Sequence, residues 1–147
     1  MEDRQPKIAV TEVKTFLADA RRRAERAGIP RERILLDPGL GFGKTVTHNL
    51  LLLRHLDELV ALGQPVVLGP SRKSFIGRIL EAEVDERLSG TLACVEAAAQ
   101  HHAHIVRVHD VKATVQFLTM WRAIHDETRG QRRPRRHRAP SPVRVHS

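Results

Sequence analysis

The sequence predicts an α/β fold, in which one helix is followed by three strand–helix units whose strands form a parallel sheet with helical crossovers. Helix-like and strand-like segments alternate from residue 8 to residue 126. Polar and charged side chains follow each strand-like segment, at the sheet edge where α/β proteins build their sites. The hydrophobic content of 41% is enough for a packed core, and no apolar run approaches the roughly 18 residues of a membrane span.

The first helix is predicted over residues 8–27, because apolar side chains recur there at helical spacing. Gly28 and Pro30 mark its end, since glycine commonly terminates a helix and proline breaks one. The apolar run at residues 33–37 then predicts a buried strand with a loop after it.

The alternation continues through the rest of the chain. Thr47 is the predicted N-cap of a second helix that reaches residue 62, and Gly63 ends it. The remaining predicted elements are a strand over residues 65–69, a loop and short helix over 71–80, a helix over 87–100, a strand over 104–109 and a last helix over 111–126 that Asp110 can cap. Residues 1–128 are therefore expected to form one domain.

Residues 129–147 differ from the domain in composition. Seven arginines and no acidic residue lie there, so only +1 of the formal net charge of +8 belongs to residues 1–128. The segment is rich in Arg, Pro and Ser and has no apolar period, which predicts a disordered tail. Electrostatic contact with nucleic acid is one interpretation. A solvated tail, or sequence acquired by truncation or fusion, is favoured because no aromatic residue interleaves the arginines.

A glycine-rich loop at residues 37–45 follows the first predicted strand. Three glycines in five residues let the backbone approach a ligand closely. The spacing fits neither the phosphate-binding P-loop, which needs a glycine where Pro38 stands, nor the dinucleotide fingerprint. A buried Asp37 at the strand end would need hydrogen-bond donors. A planar heterocycle with adjacent N–H groups and the backbone of the aspartate's own turn are equal alternatives for that donor.

Two further motifs place cations at strand ends. Residues 69–74 follow a strand and begin a helix, where backbone N–H groups, a serine hydroxyl and the helix dipole receive an anion. Lys73 would point into such a site and Arg72 away from it; a solvated basic turn is the alternative. Strand alternation puts Arg107 and His109 on one face, and two neighbouring cationic donors suit a phosphate or pyrophosphate.

The remaining metal and thiol candidates predict no site. His101, His102 and His104 have no Cys or acidic ligand beside them at a zinc spacing, so a structural metal is not expected. Cys94 is the single cysteine, which excludes an internal disulfide, and it is expected to be a small core residue.

The three motifs, in this order, resemble those of the dihydropteroate synthase family. Residues 37–45 look like the family's Asp-Pro-Gly-x-Gly-Phe-Gly-Lys loop, 71–74 match its Ser-Arg-Lys-Ser turn, and 107–110 match its Arg-Val-His-Asp strand end. The resemblance runs from about residue 8 to about residue 124 and implies the C-terminal part of a (β/α)8 TIM barrel that lacks its first five strands. Two positions depart from the family pattern: Pro70, where an apolar residue is usual, and His102, where a glycine is common.

The resemblance implies a reaction, the joining of para-aminobenzoate to 6-hydroxymethyl-7,8-dihydropterin diphosphate, which gives dihydropteroate and pyrophosphate and is inhibited by sulfonamides. Lys73, Arg107 and His109 would be the catalytic residues. In the implied substrate site, Asp37 would bind the N–H edge of the pterin, and Lys73 and Arg107 would also contact the pterin. The aminobenzoate would lie beside Lys73, with its ring against Phe42 and its carboxylate at Ser74. Arg107 and His109 would bind the diphosphate, and Gly41 and Gly69 would also belong to the substrate site.

The resemblance also implies Mg²⁺, whose ligand is expected in the absent N-terminal part, so no metal ligand is predicted here. The absent strands would leave an unpaired sheet edge, which predicts a homodimer or other self-association. A catalytically incomplete fragment or interaction module, retaining part of the pterin and aminobenzoate site, is the alternative function. A cytoplasmic location is the simplest expectation, without membrane or nucleic-acid partners.

Overall fold

The structure is a computed structural model that describes residues 4–125. The predicted tail lies outside these residues, and the extent of the domain, residues 1–128, stays a prediction. No helix within residues 4–125 is long and apolar enough to cross a membrane. In chain order the elements are α1 (Arg4–Arg26), α2 (Val46–Arg54), α3 (Leu56–Val60), β1 (Val67–Leu68), α4 (Ser74–Leu80), α5 (Leu88–Gln100), β2 (Ile105–Val106) and α6 (Val111–His125), with 3-10 turns at Arg31–Arg33 and Val84–Glu86.

The sheet has the predicted parallel order. Val67 of β1 lies opposite Ile105 of β2, and the first predicted strand contributes a single parallel bridge between Leu36 and Val66. That strand is shorter than predicted because a 3-10 turn occupies its beginning. The N–H groups of residues 33 and 34 donate back to the carbonyls of residues 30 and 31, at 2.9 and 3.1 Å, and are not available for a strand partner.

The core lies between one face of the sheet and the helices. Leu36, Val66 and Leu68 are almost completely buried, in one cluster with apolar side chains of α1 to α5. Because successive side chains of a strand point to opposite faces, their neighbours belong to the other face. Leu35 is 51% exposed there and Ile105 is 43% exposed. The described residues therefore cover one face of the sheet and leave the other open.

The predicted second helix is two helices in the structure. Thr45, and not the predicted Thr47, is the N-cap of α2, because the Thr45 hydroxyl accepts from the N–H of His48 at 3.1 Å. The backbone leaves the helical region at His55, with φ −118° and ψ 32°, and this separates α2 from α3. Gly63, the predicted stop, has a φ of 78° just after α3.

The last two helices agree with the prediction within two residues at either end. Asp110 stands before α6 as expected, and its carbonyl accepts the N–H of Thr114 at 3.0 Å. The Asp110 carboxylate, which was predicted to cap α6, is instead engaged by Arg72 from the turn before α4. This contact connects the two turns at the carboxyl end of the sheet.

Candidate active site

The carboxyl ends of the strands form one cavity of about 510 Å³. Gly69, Lys73, Arg107 and His109 line it together, so the second and third motifs meet as predicted from parallel strand order. The other lining residues are Ser71, Arg72, Val84 and Val108. The remaining predicted site residues, Asp37, Gly41, Phe42 and Ser74, lie outside this lining.

The glycine-rich loop is held against the rest of the site by α2 and by Lys73. The Gly41 N–H donates to the side chain of Asn49 at 2.7 Å, and Asn49 in turn donates to the carbonyl of Thr45 at 2.8 Å. Gly41 has a φ of 86°, and a Cβ there would lie 3.0 Å from Cδ of Lys73. Glycine is therefore required at this position by both backbone conformation and close approach. Asn49 is only 1% exposed, and sequence reasoning assigned it no role.

Lys73 joins the glycine-rich loop to the cationic cavity. Its Nζ lies 4.1 Å from the centroid of the Phe42 ring, a cation–π distance. Phe42 is 68% exposed, so one side of its ring is available to a ligand. Lys73 thus lies between an exposed aromatic surface and the donors at the ends of β1 and β2.

Asp37 is exposed, and the prediction of a buried carboxylate was wrong. Its Oδ1 accepts the N–H of Gly39 at 2.8 Å, which is the own-turn alternative considered for this residue. The side chain stays accessible because only one face of the sheet is covered by the described residues. Lys44 stabilises the same loop by donating to the carbonyls of Gly39 and Phe42, at 2.8 and 3.2 Å. Partial burial lowers the pKa of Lys44, and the negative charge of Asp37 offsets part of that effect.

Ser71 fixes the orientation of His109. The backbone N–H of His109 donates to the Ser71 hydroxyl at 3.1 Å, and the hydroxyl lies 2.8 Å from Nδ1 of the same imidazole. The hydroxyl oxygen has two lone pairs, so it can accept from Nδ1–H as well as donate to Nδ1, and either arrangement holds the ring in this orientation. This contact engages Nδ1 and leaves Nε2, the nitrogen on the other side of the ring, for a ligand. No local pattern predicts this pair, whose members are 38 residues apart.

Arg72 and Lys73 both line the cavity, but their side chains make different contacts. Arg72 is in the left-handed region with φ 57°, and three groups hold it there. Its N–H donates to Thr91 Oγ1 at 3.1 Å, its carbonyl accepts from Arg87 at 3.1 Å, and its guanidinium bonds the Asp110 carboxylate at 3.0 and 3.3 Å. The hydrogen bonds and the charge of Asp110 raise the pKa of Arg72. The turn consequently directs Arg72 towards α6 and Lys73 towards the glycine-rich loop.

Gly69 allows Arg107 to lie across the end of β1. A Cβ at Gly69 would be 2.9 Å from Nη2 of Arg107, closer than side-chain contacts allow. The Arg107 N–H donates to the carbonyl of Leu68 at 2.7 Å, which continues the sheet ladder beyond β2. Ser74 is exposed in the first turn of α4. The structure thus explains Gly69 by the space that the arginine needs.

The described residues contain no group of three or more His, Cys, Asp or Glu side chains that could hold a metal ion. The expectation of a Mg²⁺ ligand elsewhere stays a prediction.

Solved structures of other proteins share this fold. Dihydropteroate synthase from Xanthomonas albilineans in complex with 7,8-dihydropteroate superposes with a TM-score of 0.78 and 46% identity, over 80% of this chain and 45% of that one. The same enzyme with 4-aminobenzoic acid matches equally, over 44% of its chain. These similarities confirm the predicted fold class, an α/β arrangement that corresponds to part of a (β/α)8 TIM barrel.

Sequence relatives give the same assignment. Dihydropteroate synthase of Escherichia coli (strain K12) is 50% identical over 107 residues, 73% of this chain and 38% of that protein. A Mycobacterium leprae (strain TN) protein named inactive dihydropteroate synthase 2 is 48% identical over 101 residues, 69% of this chain and 35% of that one. The chain thus spans less than half the length of these relatives. The family model described as pterin binding enzyme matches residues 1–109, which include the three motifs up to His109, and the chain therefore belongs to the pterin-binding enzyme family.

Proposed function

We propose that this site serves the dihydropteroate synthase reaction, in which para-aminobenzoate and 6-hydroxymethyl-7,8-dihydropterin diphosphate give dihydropteroate and pyrophosphate. The observation that carries the proposal is the meeting of Lys73, Arg107 and His109 in one cavity at the carboxyl edge of the sheet. No Asp or Glu is among the described residues that line this cavity. An anionic leaving group such as a diphosphate is the ligand that this charge distribution favours.

The chemical step breaks the C–O bond to the diphosphate and forms a C–N bond to the aminobenzoate amine, whose proton is released to solvent. Negative charge develops on the leaving oxygen, and donors placed around that charge lower the barrier. Arg107 supplies a guanidinium, and His109 supplies an imidazole that Ser71 orients through Nδ1. His109 is held by Ser71 before the ligand arrives, so little reorganisation of its imidazole is needed during the reaction.

The second substrate would lie between the cavity and the glycine-rich loop. Phe42 offers an exposed ring face to the aminobenzoate ring, with Lys73 beside it. Ser74, exposed in the first turn of α4, is available to the carboxylate. Asp37 has Oδ1 engaged by its own turn, which leaves Oδ2 for the N–H edge of a pterin. Relatives crystallised with 7,8-dihydropteroate and with 4-aminobenzoic acid support these substrate classes.

Mg²⁺ belongs to the proposal only as a family expectation. The described residues offer no ligand cluster for it, and none of the steps above depends on it. Its contribution, when bound, would be to neutralise diphosphate charge.

A catalytically incomplete protein is the second candidate function. The relative named inactive dihydropteroate synthase 2 is 48% identical to this chain, so similarity at this level does not separate active from inactive proteins. One face of the sheet is also open, with Leu35 half exposed on it. In this case the chain binds pyrophosphate or a pterin without turnover. Self-association through the open parts of the sheet stays a prediction, which gel filtration tests.

The deciding experiment has two measurements. The first is dihydropteroate formation by the purified chain with both substrates and Mg²⁺, and the second is pyrophosphate binding by calorimetry. Lys73→Ala should abolish turnover, and Lys112→Ala, a change to an exposed lysine on α6, should not. His109→Ala should weaken pyrophosphate binding at least tenfold, since a hydrogen bond to a charged group contributes about 1.5–3 kcal/mol. Binding without turnover would favour the incomplete protein, and a folded sample with neither property would contradict both candidates.

A further inference from the structure

A second cavity, of about 430 Å³, lies at the opposite end of the sheet from the candidate active site. It is bordered by the end of α5, by β2 and by α6, and it is partly open to solvent. His104 lines it at the start of β2, whereas Arg107 and His109 follow that strand. Its volume is within the range of about 300–1,000 Å³ that is typical of small-molecule sites. Nothing in the proposed reaction uses this cavity.

His102 is the unusual residue of this cavity. It has a φ of 60°, in the left-handed region that glycine normally occupies after a helix. Its N–H donates to the carbonyl of Ala99 at 3.2 Å, and that of Ala103 donates to Ala98 at 2.9 Å, so the geometry is a regular helix end. This conformation is less favourable for histidine than for glycine, and the residue lies in the lining of the cavity.

The other polar groups of the cavity are donors. The Val66 N–H donates to Nδ1 of His104 at 3.1 Å, so the proton of the neutral imidazole is on Nε2. Arg122 contributes a guanidinium to the lining. Among the described residues that line the cavity there is no Asp or Glu. The carbonyl oxygens at the end of α5 would repel an anion. They already accept hydrogen bonds from the backbone N–H groups that follow the helix, and these bonds weaken the repulsion.

The remaining walls are apolar and include one large aromatic ring. Val95, Ala98 and Leu118 contribute aliphatic surface. The Trp121 ring is kept in place by stacking on His125, with 4.2 Å between the ring centroids and an interplanar angle of 21°. An inorganic anion would leave this apolar surface uncovered, and a neutral aromatic molecule would leave the donors without an acceptor.

We infer that this cavity binds a small aromatic carboxylate, with the ring against Trp121 and the carboxylate at His102, His104 and Arg122. The ligand class is complementary to both kinds of group in the lining, the apolar surface and the hydrogen-bond donors. Because para-aminobenzoate is itself an aromatic carboxylate, the two sites have to be distinguished by variants at opposite ends of the sheet.

Trp121 provides a direct probe, since it is the only tryptophan of the chain. A ¹H–¹⁵N NMR spectrum therefore contains one indole N–H signal. That N–H is buried and has no hydrogen-bond partner among the described residues, so its signal responds to changes around the ring. Titration with 2-naphthoate should move the signal to saturation. The matched uncharged molecule, 2-naphthalenemethanol, should bind about tenfold more weakly, because it lacks the charge-assisted contacts.

Three variants assign the effect to this cavity. Arg122→Gln should weaken 2-naphthoate binding about tenfold. His102→Gly should also weaken it while raising the urea midpoint of unfolding, because the strain is relieved; loss of folding cannot produce that combination. Lys73→Ala, at the other end of the sheet, should leave the affinity unchanged. The inference is overturned if 2-naphthoate gives no saturable shift, if the alcohol binds equally well, or if Lys73→Ala removes binding.

Discussion

Replacement of Thr91 by valine tests whether the left-handed turn at Arg72 is maintained by a single buried acceptor. Thr91 is completely buried, and its Oγ1 accepts the Arg72 N–H at 3.1 Å. Valine has nearly the same shape as threonine but has no oxygen. The substitution therefore removes the acceptor, fills the same space and leaves the N–H of a strained residue without a partner.

The expected cost follows from the contacts of the turn. Leaving a buried donor unsatisfied costs about 1–3 kcal/mol, and a left-handed non-glycine residue is already about 1–2 kcal/mol above the right-handed form. The ion pair between Arg72 and Asp110 cannot compensate, since its side chains are 36% and 27% exposed and such pairs contribute about 0–1 kcal/mol. We expect the free energy of unfolding to fall by about 1–3 kcal/mol.

Urea unfolding followed by circular dichroism measures this loss, and Thr114→Val is the matched control. Thr114 is 3% exposed, and its Oγ1 is buried without a hydrogen-bond partner among the described residues. The same substitution there should leave the unfolding midpoint unchanged or raise it, because it removes an unsatisfied group. Equal midpoints for Thr91→Val and the unmodified protein, with an unchanged denaturant slope, would refute the role given to Thr91.

Three further predictions concern close packing and burial. Gly69→Ala should displace the Arg107 guanidinium, whose Nη2 would be 2.9 Å from the new Cβ; calorimetry should show weaker pyrophosphate binding, and an unchanged affinity would contradict the proposed contact. Gly90→Ala should cost about 1–3 kcal/mol in urea unfolding, because its methyl group would overlap the buried side chain of Ile76; a stable variant would show that α4 and α5 can separate. Burial raises the pKa of the Cys94 thiol from 9.0 to about 11. The unfolded chain then loses its thiol proton first, so stability should fall by about 2–3 kcal/mol between about pH 9 and pH 11. That part of the pH dependence should be absent from Cys94→Ala, and identical profiles would contradict it.

The fold was predictable where the signal is local. Helix α1 follows from apolar spacing and from Gly28, and the parallel order follows from the alternation of strands and helices. The N-cap of α2 was placed two residues late, because both Thr45 and Thr47 are acceptable caps in sequence and only the backbone decides which one stands outside the helix. The break at His55 has no signal in the apolar pattern, which continues across it.

The candidate site was predictable in its composition but not in its contacts. Lys73, Arg107 and His109 were selected because they follow strands, and parallel order alone brings them together. The hydrogen bonds that orient them join residues distant in sequence: Ser71 to His109 across 38 residues and Arg72 to Thr91 across 19. Such bonds depend on strand register and on the direction of each side chain, which no local pattern specifies.

The two ends of the candidate site differ in how completely the described residues build them. At the cationic end, two hydrogen bonds join the turn after β1 to the turn after β2: Ser71 bonds His109, and the next residue, Arg72, bonds Asp110. Their geometry does not depend on the open face of the sheet. Asp37, in contrast, lies exposed and is held only by its own turn. If the proposed site is correct, calorimetry should detect pyrophosphate binding under conditions in which the proposed binding of a pterin at Asp37 is lost.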